Sequence, residues 1–226
     1  MFKIEDLILR VPHMFTEEEC DFLVGYHIKN EESHILEQCP HAVTGEMTSS
    51  SFKCLTLISP SEEHALVHSR TREMVTKWLE HLSEFESFHL PMMSKRLNYA
   101  HKYRLLKYEV GAKIHPHTDF DDYTYGSCTF NLNDEYEGGV FRFWNGRVSI
   151  QLAKGEGMIW PADYFWVHEV TPVISGNRYS TNCFIRSVNA DLFSNLQDYV
   201  YDGADFGISD TSSDIRTFGS EQYLGR

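Results

Sequence analysis

The chain reads as a mainly β domain, a sandwich or barrel of short strands behind a helical front, and three observations predict it. From residue 103 onward, short runs of alternating apolar and polar residues follow one another. Glycines punctuate those runs at Gly111, Gly138-Gly139, Gly146, Gly155, Gly157 and Gly176, where turns are expected. Helix-start signals, by contrast, gather in the front of the chain. Many short strands with regular turn signals indicate a sandwich or barrel rather than parallel βαβ units.

The elements follow in order. Thr16-Glu17-Glu18-Glu19 is a T-x-x-E capping box with Phe15 ahead of it, and Leu23 and Tyr26 supply the apolar face of a helix over about 16–29. Ser59-Pro60-Ser61-Glu62 combines S-x-x-E with proline at the first helical position. Met74, Val75, Trp78, Leu79 and Leu82 then recur at helical spacing, which predicts one long helix over about 60–84. Cys39 to Ser51 is small, polar and weakly periodic, and reads as a loop. Strands are expected at 103–110, 126–133, 139–144, 147–152, 157–160, 165–171 and 178–186. The acidic stretch after Ala190 has no clear period. Its Phe193, Leu196, Tyr199, Tyr201, Phe206 and Phe218 suggest a C-terminal extension packed on the core. At 226 residues the chain suits one domain: 1–102 as helical support and loops, 103–186 as the β core, 187–226 as the extension.

Composition excludes some functions. A net charge of −13 argues against a nucleic-acid phosphate groove, which needs clustered Lys and Arg. No run approaches the roughly 18 apolar residues of a membrane span. The five cysteines, Cys20, Cys39, Cys54, Cys128 and Cys183, include no C-x-x-C pair and suit a reducing compartment. With no basic stretch leading into an apolar segment at the start, a cytoplasmic location is expected.

His117-Thr118-Asp119 is the one H-x-D or H-x-E among twelve histidines. Strand periodicity would turn its imidazole and carboxylate to the same side. His168, in Phe165-Trp166-Val167-His168-Glu169-Val170, can add a third donor from another strand. Two imidazoles and one carboxylate form the facial set that holds Fe(II) with open positions. Spacing alone leaves the triplet open between a metal site and ordinary turn residues. His64 and His68 lie four apart on the long helix but lack the H-E-x-x-H glutamate, so a partly exposed helical face is expected there. His115 could replace His117, though only His117 has the acid two residues on; His41, His89 and His101 stand alone. In Arg178-Tyr179-Ser180-Thr181-Asn182-Cys183-Phe184, alternation puts Arg178, Ser180, Asn182 and Phe184 on one face. A guanidinium with a hydroxyl two residues on can receive a carboxylate; the alternative is an arginine paired with an acid at a barrel rim. Tyr108 shares a face with Arg104 and Leu106 and could bond the same carboxylate.

From Tyr103 to Arg186 these residues resemble the prolyl 4-hydroxylase-like branch of the Fe(II)/2-oxoglutarate dioxygenases. The resemblance runs through Tyr108-Glu109-Val110-Gly111, His117-Thr118-Asp119, Leu132-Asn133 and Glu137-Gly138-Gly139-Val140-Phe141-Arg142-Phe143. It continues through Gly155-Glu156-Gly157-Met158-Ile159-Trp160-Pro161, His168-Glu169-Val170-Thr171-Pro172-Val173 and Gly176-Asn177-Arg178-Tyr179-Ser180. It implies a double-stranded β-helix, or jelly roll, with the front helices buttressing one sheet. It implies Fe(II) held by His117, Asp119 and His168, with Arg178 pairing the distal carboxylate of the co-substrate 2-oxoglutarate. Tyr108, Ser180 and Asn131 are the expected further co-substrate contacts, O2 the oxidant and ascorbate the reductant. Asn131 stands where the family often has an aromatic residue, and Phe184 where it often has tryptophan. Related halogenases carry glycine or alanine in place of Asp119, so its carboxylate favours hydroxylation.

The expected activity is hydroxylation of an unactivated C–H, with a peptidyl proline the leading substrate. A free amino acid or other small metabolite is the alternative. A non-catalytic jelly-roll binding module is opposed by the intact set of four residues, and a nucleic-acid demethylase by the acidic balance.

Overall fold

The computed structural model describes residues 2–41, 43–85, 88–120 and 124–187. Residues 188–226, and with them the expected packing of the C-terminal extension, lie outside the described residues. The front of the chain holds β1 (Leu9–Val11), α1 (Glu17–Lys29), β2 (Ile35–Pro40), β3 (Met47–Thr56), α2 (Glu62–Ser83) and α3 (Leu90–Arg96). Then come β4 (Tyr99–Tyr108), β5 (Ile114–His117), β6 (Thr124–Asn131), β7 (Tyr136–Gly138), β8 (Phe141–Phe143) and β9 (Val148–Ile150). The described part closes with β10 (Gly157–Pro161), β11 (His168–Val170), β12 (Val173–Gly176) and β13 (Arg178–Arg186).

Seven strands form a major sheet in the order β1-β10-β6-β13-β4-β3-β2, and four form a minor sheet in the order β5-β11-β8-β9. Every pairing is antiparallel. From β5 on, the chain crosses repeatedly between the sheets: β6, β10 and β13 belong to the major one, β8, β9 and β11 to the minor one. That winding is a double-stranded β-helix, the jelly roll.

The major sheet is covered on both faces, which is why its strands are more apolar than simple alternation requires. On the outer face Leu23 of α1 and Val67, Met74, Val75, Trp78, Leu79 and Leu82 of α2 pack on Tyr103, Leu105, Cys128, Phe130, Cys183 and Ile185. On the inner face Phe52, Cys54, Leu106, Tyr108 and Met158 meet Phe141, Phe143, Trp166 and Val170. The helices therefore stiffen the sheet from behind, and the site is built on its front.

Local chemistry accounts for the helix starts. Thr16 accepts from the Glu19 backbone N–H at 3.2 Å while the Glu19 carboxylate accepts from the Thr16 N–H at 2.9 Å, closing the expected capping box. The long helix is capped by Ser61, which accepts from the His64 N–H at 3.1 Å. Pro60 thus precedes the cap, whereas the S-P-S-E pattern predicts it at the first helical position. The loop expected over 39–51 is corrected too, since most of it belongs to β2 and β3. Phe52 and Cys54 are buried inward there, and β3 pairs with β4 from Lys53↔Lys107 to Thr56↔Arg104. That pairing is long-range and leaves little mark on the local sequence.

Strand β4 begins earlier than its alternation suggested because of a bulge. Asn182 pairs with Arg104 but Phe184 pairs with His101, so two residues of β4, Lys102 and Tyr103, stand against Cys183 alone. Lys102 takes φ +55° at this point. The extra residue turns His101 to the same side as Arg104, Leu106 and Tyr108.

Candidate metal and co-substrate site

His117 is the last residue of β5 and pairs directly with His168, the first residue of β11. Their imidazole centroids are 4.3 Å apart. Each ring is fixed by its own strand: His117 Nδ1 donates to the His115 carbonyl at 2.9 Å, and His168 Nδ1 to the Trp166 carbonyl at 3.0 Å. A carbonyl can only accept, so both rings carry a proton on Nδ1 and turn Nε2 inward. Asp119 lies past the end of β5, not on it, so strand alternation does not aim its carboxylate. Ser127 of β6 does so instead, donating Oγ to Asp119 Oδ2 at 2.7 Å.

The carboxylate comes within 3.4 Å of His117 Nε2 and 3.5 Å of His168 Nε2. One donor atom from each of the three residues lies within 4.8 Å of the others, the one such group among the described residues. Burial lowers the His168 pKa to about 4, outweighing the nearby Asp119 charge, so this imidazole is neutral, the ligand form. Burial opposes the charged forms of Asp119 and His117 as well. For Asp119 it is overcome by His168, His117 and the Ser127 hydrogen bond, which hold the carboxyl well below its usual range. For His117 the Asp119 carboxylate wins and raises the pKa. Two inward ring nitrogens and an ionised carboxylate, all within a few ångströms, form a donor set that a divalent cation fits.

The triad opens into a cavity of about 480 Å³ between the two sheets. Tyr108, Trp160, Arg178, Ser180, Asn182 and Phe184 line it together with the triad. Arg178 is 1% exposed and has no carboxylate beside it among the described residues. Its guanidinium lies over the rings of Tyr108, at 4.9 Å, and Phe141, at 5.3 Å. Gly139 makes room for its stem, since a Cβ there would sit 2.8 Å from Arg178 Cδ. Arg178 Nη1, Ser180 Oγ and Trp160 Nε1 are buried without a hydrogen-bond partner among the described residues. A buried charge with donors unspent on protein fits an incoming carboxylate. Burial, against the pull of Arg178, raises the Tyr108 phenol to about 12, so it stays protonated and able to donate.

The other residues singled out from sequence fall elsewhere. Asn131 does not line the cavity: its Nδ2 donates to the Leu152 carbonyl at 3.1 Å and its Oδ1 accepts from Tyr136 at 3.1 Å, tying loops together. It is therefore corrected from a co-substrate contact to a loop anchor. His64 is buried, not part-exposed; its ring packs edge-on against Tyr103 at 4.9 Å, and His68 Nδ1 lies 2.6 Å from the Tyr103 hydroxyl. Trp160, Arg104, His101 and Glu37 line the cavity without having been assigned a role. Trp160 alternates with Met158 in a recognised motif, and Arg104 shares a strand face with Tyr108. Those two were within reach of pattern reading.

Known proteins place this geometry. The sequence pattern of the 2OG-Fe(II) oxygenase superfamily matches residues 103–186. That segment, which holds the three clustered donors and Arg178, is thus similar to the core of the 2OG-Fe(II) oxygenase superfamily. Among solved structures, a viral collagen prolyl hydroxylase from Paramecium Bursaria Chlorella virus-1 superposes with a TM-score of 0.56 at 16% identity, covering 81% of this chain and 97% of its own. A Pseudomonas putida prolyl-4-hydroxylase gives 0.57 at 14% identity, with 82% and 97% covered. A prolyl hydroxylase from Trichoplax adhaerens, in complex with a hypoxia inducible factor oxygen degradation domain peptide fragment, gives 0.58 at 13%, with 80% and 84% covered. At such identities these likenesses establish the fold. No curated protein matches the chain by sequence. No helix among the described residues is long and apolar enough to cross a membrane.

Proposed function

We propose that the protein is an Fe(II)- and 2-oxoglutarate-dependent dioxygenase that hydroxylates an unactivated C–H bond and converts 2-oxoglutarate to succinate and CO2. One observation carries this reading: a His–Asp–His set with both histidines buried shares a cavity with a buried arginine that has no acid beside it among the described residues. His117, Asp119 and His168 would hold the iron, which supplies the open positions and redox chemistry for O2 activation. Arg178 and Ser180 would bind the distal carboxylate of 2-oxoglutarate, and the Tyr108 hydroxyl can donate to the same group. The Tyr108 and Phe141 rings hold the guanidinium in place. Phe141, Phe143 and Trp160 pack around His168 and keep water from that side of the site.

Peptidyl proline is the substrate suggested by the structural neighbours, one of which holds a peptide. A free amino acid is the second reading, favoured by an ion pair inside the cavity. The buried free thiols of Cys20, Cys54, Cys128 and Cys183 suit a reducing, cytoplasmic setting.

The test is succinate formation by purified protein given Fe(II), ascorbate and 2-oxoglutarate, with proline-containing peptides and free amino acids as separate substrates. Succinate coupled to a hydroxylated product is expected. Iron binding without succinate from either set would overturn the enzyme reading.

A further inference from the structure

The strand that carries Tyr108 also carries a second buried guanidinium. Arg104 pairs with Asn182 of β13, while Tyr108 pairs with Arg178, and all four line the cavity. Four residues of strand at about 3.3–3.4 Å each put the two arginines roughly 13 Å apart along one wall. Their surroundings differ. Arg178 has no acid beside it among the described residues; Arg104 forms a salt bridge with Glu37 of β2, donates Nε to Asn182 Oδ1 at 3.1 Å, and lies 5.0 Å over the Phe184 ring. Glu37 lines the same cavity, with its side chain 29% exposed against 7% for Arg104.

The bland alternative is a tie holding an edge strand. Strand β2 is also held by its ladder to β3, from Ile35↔Cys54 to Pro40↔Met47, with a register shift at Glu37. A buried ion pair also contributes little net stability, because desolvation offsets the attraction. Inside a ligand cavity the pair instead presents a fixed cation and a fixed anion side by side. A guanidinium has five N–H donors, so Arg104 retains capacity beyond Asn182 and Glu37.

We propose that Arg104, with Asn182, receives the α-carboxylate of a free amino acid while Glu37 receives its α-ammonium group, making the prime substrate a zwitterion rather than an internal residue of a peptide. An internal residue carries neither charge and would cover the pair without offering either member a counter-charge. A zwitterion satisfies both partners, and being neutral it meets no net repulsion from a chain of charge −13. The proposal rests on the oxygenase reading of the triad and names the substrate class of that site.

The experiment uses the full chain loaded with Mn(II) and 2-oxoglutarate, which reports binding without turnover. The twenty free amino acids are screened by calorimetry, beside the N-acetylated and C-amidated forms of any that bind. Saturable binding of at least one free amino acid is expected, weakened about tenfold or more by either blocking group. The double variant R104Q/E37Q removes both members of the pair and keeps hydrogen-bonding groups, so it is the variant of choice should R104Q alone fail to fold. In it, amino-acid affinity should fall by about tenfold or more while 2-oxoglutarate affinity changes less than about twofold. No binding by any free amino acid overturns the proposal, as does equal binding of the doubly blocked form or unchanged affinity in R104Q/E37Q. Failure of 2-oxoglutarate to bind the Mn(II)-loaded wild type would instead refute the oxygenase reading beneath it.

Discussion

His117 and His168 face each other as a register pair of neighbouring minor-sheet strands, each with Nδ1 tied to the carbonyl two residues earlier in its own chain. The backbone therefore sets both tautomers and both ring planes before any ligand arrives. Only the carboxylate depends on a side chain from another strand.

Asp119→Ala removes one of three donors and the one negative charge of the set. Metal titration should show loss of Fe(II) or Mn(II) binding, and succinate formation should vanish. Retained stoichiometric binding with native affinity would remove Asp119 from the ligand set.

Ser127→Ala leaves the three donors in place but frees the carboxylate that Ser127 holds at 2.7 Å. Removing such an orienting partner is worth about 10–100-fold in metal affinity. A titration showing no change would mean that Asp119 is aimed without Ser127.

Arg178→Gln should raise the 2-oxoglutarate requirement while sparing metal binding. Truncating a buried, hydrogen-bonded charge partner costs about 2–5 kcal/mol, which is about thirtyfold or more in affinity. Collapse of metal binding, with 2-oxoglutarate affinity intact, would refute the clamp assignment.

Gly139→Ala should act on the same group from outside. Gly139 has φ +61°, where an L side chain is strained by about 1–2 kcal/mol, and its new Cβ would press on Arg178 Cδ. A lower melting temperature together with a raised KM for 2-oxoglutarate is expected; a stability loss alone would show that the stem can shift.

His27 gives a pH dependence. Burial, and secondarily the neighbouring His34, lower its pKa to about 3, against an ordinary 6.5. Above pH 6.5 the ring is neutral whether the chain is folded or not, and the full stability is present. As pH falls below 6.5 the unfolded chain binds a proton that the folded one refuses, so stability erodes by up to about 1.4 kcal/mol per pH unit toward pH 3. Urea unfolding from pH 7 to 4 should therefore show a shallower acid loss for His27→Phe than for wild type. Parallel curves would refute the assignment.

Several of these residues were legible in the chain. Alternation in β13 places Arg178, Ser180, Asn182 and Phe184 on one face, and all four line the cavity. The capping box at Thr16 and the apolar spacing of α2 were equally plain, since both depend on residues a few positions apart. Local pattern failed where a partner was distant. The Lys102 bulge, strands β2 and β3, and Asn131 as a loop anchor follow from pairings that no local period encodes.

The sequence by itself determined the kind of site: an H-x-D triplet, a later histidine and an arginine on an alternating strand, drawn from short-range chemistry and periodicity. Only the tertiary structure decided how they meet. Asp119 is aimed by Ser127 of β6, not by strand parity, and Arg104 gains its partner Glu37 because β3 seats β2 at the edge of the sheet. Side-chain period is a property of one strand, whereas a cavity is made by the pairing of many.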